Sequence, residues 1–82
     1  MGYHINDINR GEYGEISKIE EELNELKDSS YQGNRIMELI ELSDLIGAIK
    51  GYLDKYHKNY SINDLLIMSE ATERAFKDGT RR

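Results

Sequence analysis

The chain has 82 residues, no cysteine and no proline, and its 16 acidic and 11 basic side chains give a formal net charge of −5. This length suits one small domain, which excludes a two-domain enzyme with a cleft between its halves; without cysteine there is no disulfide framework, thiolate zinc site or cysteine nucleophile. The acidic balance argues against nucleic-acid binding as the main activity, and the longest aliphatic run, residues 65–68, is too short for a membrane span.

One core in so short a chain rarely supplies more than about 3–5 kcal/mol. We therefore expect several copies to complete their burial against one another, as a homodimer or a homotetramer. The chain shows no signal-peptide pattern at its start, and the absence of cysteine fits a reducing compartment. These features predict a soluble, cytoplasmic protein that binds neither nucleic acid nor membrane.

Residues 1–11 lack periodicity and are predicted to form a loose N-terminal leader, which precedes a single helical domain over residues 12–82. The first helix is predicted over about residues 12–28, because four aliphatic residues recur there at alternating spacings of three and four. They are Ile16, Ile19, Leu23 and Leu26.

A second helix is predicted over about residues 35–57, with Asn34 as its N-cap, because an asparagine side chain can accept a free backbone N–H. Its apolar residues surround most of the helix, so we expect it to be buried on several sides and to lie at the centre of the assembly. Gly47, Ala48 and Gly51 add small side chains at one level, where another helix could approach closely.

A third helix is predicted from the capping residue Ser61, with Asp64 three positions later, to about residue 77, and Gly79 can end it in a left-handed conformation. The sequence therefore predicts an all-α protein with a three-helix protomer. Its first two helices form an antiparallel pair joined by a short turn, the third packs beside them, and the chains assemble into an oligomeric helical bundle.

Two pairs of acids are spaced by three residues, Glu22 with Glu25 and Glu41 with Asp44, so each pair projects from one face of its helix. At a rise of about 1.5 Å per residue, Glu25 lies about 6 Å before the turn and Glu41 about 9 Å after it. An antiparallel pair thus brings all four carboxylates to similar heights, where they repel one another unless they are protonated, paired or neutralised by metal. The spacing predicts a site for Mg²⁺, with Mn²⁺ possible.

Glu21 and Glu38 are possible additional acids of this site. Glutamate is common on helix surfaces, however, and 33% of the residues are charged, so an ordinary solvated helix face is the favoured interpretation for both. Glu41 and Asp44 differ, because apolar residues flank them on an otherwise apolar helix. For Asp44 these neighbours also predict partial burial.

The run Glu21-Glu22-Leu23-Asn24-Glu25, followed after 15 residues by Glu41-Leu42-Ser43-Asp44, resembles the EExxE and ExxD signature of the MazG family of all-α nucleoside triphosphate pyrophosphohydrolases. The similarity covers about residues 12–77 and is nearest to the short MazG-like proteins of bacteriophages. It implies Glu22, Glu25, Glu41 and Asp44 as Mg²⁺ ligands. It also implies hydrolysis of a nucleoside or deoxynucleoside triphosphate to the monophosphate and pyrophosphate, in a bacterial or phage-infected cell.

The chain departs from this family pattern before the first motif and in the third helix, where Ala71 and Ala75 stand at positions expected to hold a second basic residue. Family members usually have another helix before the first motif, so part of the nucleotide pocket is expected to be missing or to come from another chain. Arg74 is the main candidate for phosphate binding, with Lys77, Arg81 and Lys50 weaker, since a solvated helix end also explains such cations.

Two other functions remain open from the sequence. The shortened scaffold could bind and sequester a nucleotide or a nucleotide-derived signal without cleaving it. It could also be a purely structural helical oligomer, although this interpretation does not explain acids within an apolar helix.

Overall fold

The structure is a computed structural model that describes residues 7–81. This range contains three helices, α1 over Ile16–Tyr31, α2 over Arg35–Tyr56 and α3 over Ile62–Asp78, and no strand. The predicted all-α class and three-helix protomer are confirmed. The part of the predicted leader before residue 7 lies outside the described residues.

The bounds of α1 differ from those predicted by its apolar spacing. Gly14 has a φ of 92°, a left-handed conformation that a helix interior does not contain, so α1 begins after it. At the other end, Gly33 has a φ of 71° and its N–H bonds to Ser30 O, while the Asn34 N–H bonds to Ser29 O. This is the Schellman arrangement, which satisfies the last carbonyls of the helix and lets α1 continue to Tyr31.

The predicted caps of α2 and α3 are confirmed. Asn34 Oδ1 accepts a hydrogen bond from the Met37 N–H at 3.1 Å. Ser61 and Asp64 form a reciprocal capping box, and Gly79 ends α3 with a φ of 83°. Local sequence signals therefore determine three of the helix ends.

The helices α1 and α2 form an antiparallel pair. Residues 32–34 connect the end of α1 to the start of α2. At the opposite end, Glu15, just before α1, accepts a 2.7 Å hydrogen bond from the Tyr56 hydroxyl and pairs with the Lys55 amine near the end of α2. Because each end of α1 meets the opposite end of α2, residues about equally far from the turn face each other.

The apolar core of the described chain is very small. Only Ala48 and Leu53 are buried apolar residues, and α3 buries none of its residues. The helix α3 does not pack extensively against either of the other two, so the prediction that it packs beside the pair is wrong for the isolated chain. None of the described helices has the length and apolar character that a membrane crossing needs.

The small residues of α2 have different surroundings from those predicted. A Cβ at Gly51 would lie 2.6 Å from the Tyr13 ring, so this glycine makes room for an aromatic side chain from the segment before α1. Ala48 is buried, whereas a Cβ at Gly47 would meet open space. Only Gly47 is therefore left open to a further helix.

Candidate metal centre

The structure brings together the four acids that were predicted to bind metal. Carboxylate oxygens of Glu22, Glu41 and Asp44 lie within 4.8 Å of one another, and so do those of Glu21, Glu22 and Glu25. Glu22 belongs to both groups, and Glu25 shares a hydrogen bond with Glu41 across the helix pair. We refer to these five residues of α1 and α2 as the carboxylate cluster.

The members of the carboxylate cluster differ in burial. Glu22 and Glu41 are only 5% and 2% exposed, because both side chains lie between α1 and α2. Asp44 is exposed, so the prediction of its partial burial is wrong. Three residues turn a helix through about 300°, which places Asp44 about 60° away from Glu41 around α2, at the solvent edge of the pair.

One buried oxygen of Glu22 lacks a hydrogen bond. Its Oε2 atom lies 3.0 Å from Lys18 Nζ, but Oε1 is buried with no hydrogen-bond partner among the described residues. Leaving a buried acceptor unsatisfied costs about 1–3 kcal/mol, and more when the group is charged. A bound cation would satisfy this oxygen, so the atom itself points to a ligand.

The ionisation of Glu25 also reflects the crowding of the carboxylate cluster. Burial, and then repulsion from Glu22 and Glu41, raises the pKa of Glu25 to about 7. Glu21 behaves oppositely: although burial acts against ionisation, hydrogen bonds from the Gly11 N–H at 2.9 Å and from Lys18 at 3.0 Å lower the pKa of Glu21. The surroundings therefore favour the protonated form of Glu25 and the ionised form of Glu21.

The residues of the carboxylate cluster fit Mg²⁺ or Mn²⁺. All the donors are carboxylate oxygens, the hard ligands that these ions prefer. Two oxygens bound to one Mg²⁺ at about 2.1 Å lie between about 3 Å and about 4.2 Å apart. Within each group of three acids the ligand oxygens lie within 4.8 Å of one another, which is close to that range.

A cavity of about 480 Å³ opens beside the carboxylate cluster. Its lining residues come from both helices and from the segment before α1. They are Tyr13, Lys18, Glu22, Ser43, Asp44, Gly47, Ala48 and Lys50. The cavity therefore combines two acids of the cluster with two lysines and one aromatic ring, a composition that suits a ligand with anionic and planar parts.

Glu38, the other possible acid, lies outside both groups of converging carboxylates. It accepts hydrogen bonds from Arg35 at 2.9 and 3.1 Å, and these lower the pKa of Glu38. The structure thus pairs Glu38 with a base on its own helix, whereas Glu21 lies within the carboxylate cluster.

Among the four candidates for phosphate binding, Lys50 lines the cavity. Arg74, Lys77 and Arg81 belong to α3 or the segment after it, and the lining of the cavity includes none of them. Lys77 pairs with Glu73 at 3.1 Å, and Arg81 lies over the Phe76 ring.

Lys18 and Tyr13 also belong to the site, although neither was predicted from the sequence. Lys18 ion-pairs with Glu21 and Glu22, and hydrogen bonds to these two acids raise the pKa of Lys18. Its spacing of three and four residues before them is a helical pairing signal that could have identified it. Tyr13 has no such signal, because its ring reaches Gly51 through a turn that the sequence does not specify.

Comparisons of the chain with protein-family models, curated proteins and solved structures gave no significant match. The resemblance to the MazG family therefore rests on the residues of the two acidic motifs.

Proposed function

We propose that this protein hydrolyses a nucleoside or deoxynucleoside triphosphate to the monophosphate and pyrophosphate, with Mg²⁺ or Mn²⁺ held by Glu22, Glu25, Glu41 and Asp44. The observation that carries the proposal is the buried, unpaired Glu22 Oε1 inside a cluster of five carboxylates. The reaction type comes from the resemblance of the two acidic motifs to those of the MazG family.

The residues around the cavity have complementary tasks in this proposal. Glu22, Glu25, Glu41 and Asp44 would hold Mg²⁺, which would supply positive charge to the phosphates and lower the pKa of a bound water. Lys18 and Lys50 line the same cavity, and each ammonium group offers three donors to phosphate oxygens. The Tyr13 ring supplies a face on which a nucleobase can stack.

A phosphate-release assay coupled to pyrophosphatase, run over the common ribonucleotides and deoxyribonucleotides with Mg²⁺ or Mn²⁺, tests the activity. We expect turnover of at least one nucleotide by the wild type and its loss in Glu22→Gln. Glu20→Gln is the matched control, since Glu20 is an exposed neighbour on α1. Absence of turnover for every nucleotide with metal-loaded wild type would remove the enzymatic proposal.

One observation favours a second candidate, binding without cleavage. The lining of the cavity includes Lys18 and Lys50 but none of the cations on or after α3, so few bases neutralise a triphosphate in a single chain. A sequestering protein needs only to hold its ligand. Tight binding by calorimetry, with the nucleotide recovered intact after prolonged incubation with Mg²⁺, would favour sequestration over hydrolysis.

We also propose that the chain forms a homodimer or homotetramer. Large apolar side chains of α2 and α3 are more than half exposed in the single chain. They include Ile36, Leu39, Ile46, Leu66, Ile67, Met68 and Phe76. Residues 7–81 include only two buried apolar residues, too small a core for a chain of this length, and a second copy of the chain is a partner that is always present.

A further inference from the structure

Lys18 forms an ion pair with a carboxylate that is also a proposed metal ligand. Its Nζ atom is 3.0 Å from Glu21 Oε1 and 3.0 Å from Glu22 Oε2. Glu22 is the acid shared by both groups of converging carboxylates, so the ammonium group is bound to the central ligand of the proposed site.

The second oxygen of Glu22 shows that this ammonium does not complete the site. Glu22 Oε1 is buried and has no hydrogen-bond partner among the residues described. Lys18 therefore neutralises one oxygen of a buried carboxylate and leaves the other for a further cation. Two cations close to one carboxylate repel each other, so a metal ion bound to Glu22 would weaken the ion pair between Lys18 and Glu22.

If Lys18 were released from Glu22, its ammonium group could reach the adjacent cavity. Its side chain already lines the cavity that Lys50 and Tyr13 also line, and it remains partly exposed. A lysine ammonium is a compact charge on a flexible four-carbon stem, so it can change partners without movement of the helix.

We propose that Lys18 is a tethered counter-ion of the metal-free site, which yields Glu22 to a divalent cation and then binds phosphate oxygens of the ligand beside Lys50. This inference rests on the proposed metal site. It does not require that the bound nucleotide be hydrolysed.

The test is calorimetry of Lys18→Met with two probes, Mg²⁺ alone and inorganic pyrophosphate in the presence of Mg²⁺. The variant should bind Mg²⁺ about fivefold more tightly, because a competing ion pair is lost. It should bind pyrophosphate about tenfold more weakly, because a charged hydrogen bond is lost. Lys27→Met is the control: Lys27 also lies on α1 but lines other cavities, so both affinities should stay unchanged.

Thermal melting adds a readout that needs neither nucleotide nor pyrophosphate. Lys18→Met should lower the Tm in EDTA, because it removes the partner of two carboxylates, and saturating Mg²⁺ should narrow the gap to wild type. Lys18→Gln, which keeps a hydrogen-bond donor without the charge, replaces Lys18→Met in these experiments if that variant does not fold. It should shift both affinities in the same directions.

The opposite signs of the two affinity changes separate this inference from a structural role. An unchanged or weaker Mg²⁺ affinity in the Lys18 variants, or an unchanged pyrophosphate affinity, overturns it. A wild type that binds no Mg²⁺ overturns both this inference and the metal site. Opposite shifts in a chain that turns over no nucleotide support the inference and refute only the hydrolytic activity.

Discussion

Glu22 and Glu41 are the acids of the carboxylate cluster that the helix pair removes from water, whereas Asp44 stays at its solvent edge. Neutralising a buried carboxylate changes both its desolvation cost and its hydrogen bonds. An effect on folding stability then cannot be separated from an effect on metal binding. An exposed member avoids this problem. Asp44 is therefore the position at which metal binding can be tested with least effect on the fold.

We expect Asp44→Asn to leave the Tm in EDTA unchanged or slightly higher, because the substitution relieves repulsion from Glu41 and Glu22. The same substitution should weaken Mg²⁺ binding by about tenfold or more, because one ligand oxygen loses its charge. Melts with EDTA and with Mg²⁺, together with calorimetric titration of Mg²⁺, measure both effects.

The control for this experiment is Glu20→Gln, which removes a charge from α1 at an exposed position outside the carboxylate cluster. Its Mg²⁺ affinity should match that of the wild type. If Asp44→Asn is equally destabilised with EDTA and with Mg²⁺ and its metal affinity is unchanged, Asp44 is a structural residue and not a ligand.

The pKa of Glu25 predicts how the stability of the metal-free chain depends on pH. Folding raises this pKa from the usual 4.5 to about 7, so the folded state holds the proton more tightly than the unfolded state. The resulting stabilisation is fully present below about pH 4.5 and is lost as the pH rises through about 7. In EDTA, the contribution of Glu25 to the Tm should therefore decrease between pH 5 and pH 8.

Glu25→Gln should remove this part of the pH dependence, because glutamine does not titrate. The measurement is a series of thermal melts in EDTA from pH 5 to pH 8, with Glu20→Gln as an exposed control on the same helix. Identical pH profiles for the wild type and Glu25→Gln would show that Glu25 has an ordinary pKa.

The convergence of the acids could be predicted from the sequence, but their burial could not. A spacing of three places Glu41 and Asp44 on one side of α2, and the short turn sets their height against Glu22 and Glu25. The rotation of α2 about its axis decides which member of a pair faces α1. That rotation depends on packing between helices, which is why the exposure of Asp44 was predicted wrongly.

At the scale of the helices, the start of α2 and both ends of α3 were predicted well from local signals, whereas both ends of α1 were not. Asn34, Ser61 and Gly79 act through side-chain hydrogen bonds or a left-handed φ that depend on neighbouring residues alone. The start of α1 depends on the turn at Gly14, which lies against Lys55 of α2. The apolar periodicity of the sequence gives no information about this contact between Gly14 and Lys55.

The turn between α1 and α2 offers a test of the role of Gly33. A Cβ there would meet no atom within 4 Å, so the cost of a substitution comes from the φ of 71° alone. Gly33→Ala should destabilise the chain by about 1 kcal/mol, equivalent to a Tm decrease of about 4–8 °C for a domain of this size. Gly33→Asn should recover much of that loss, because asparagine adopts positive φ more readily than alanine.

Thermal melts of the two Gly33 variants at one protein concentration measure this difference. Gly47→Ala is the matched control, because a Cβ at Gly47 also meets open space but its backbone is helical. If Gly33→Asn is as unstable as Gly33→Ala, the positive φ is not the source of the cost.

For the whole molecule, the position of α3 could not be predicted from its amphipathic pattern. Apolar residues at helical spacing show that one face is to be covered, but they do not say which surface covers it. In the isolated chain this face remains exposed, as does the outer face of α2. The proposed oligomer would cover both of these faces.

Leu39 provides the test of this assembly at the scale of the whole molecule. It is 69% exposed in the isolated chain, so Leu39→Glu should cost a monomer little. In an oligomer that covers α2, the substitution loses apolar burial of about 1.5–3 kcal/mol per chain and places a charge in the contact. Since a dimer carries two copies, its dissociation constant should rise by about 100-fold or more.

Sedimentation over a range of micromolar concentrations measures this effect, with Lys58→Glu in the connection between α2 and α3 as the charge control. We expect the wild type and Lys58→Glu to sediment as a dimer or tetramer with a Tm that rises with protein concentration, and Leu39→Glu to sediment at lower mass. A wild type that sediments as a compact monomer, with a cooperative Tm independent of concentration, would contradict the assembly, because two buried apolar residues would then be enough to hold the fold.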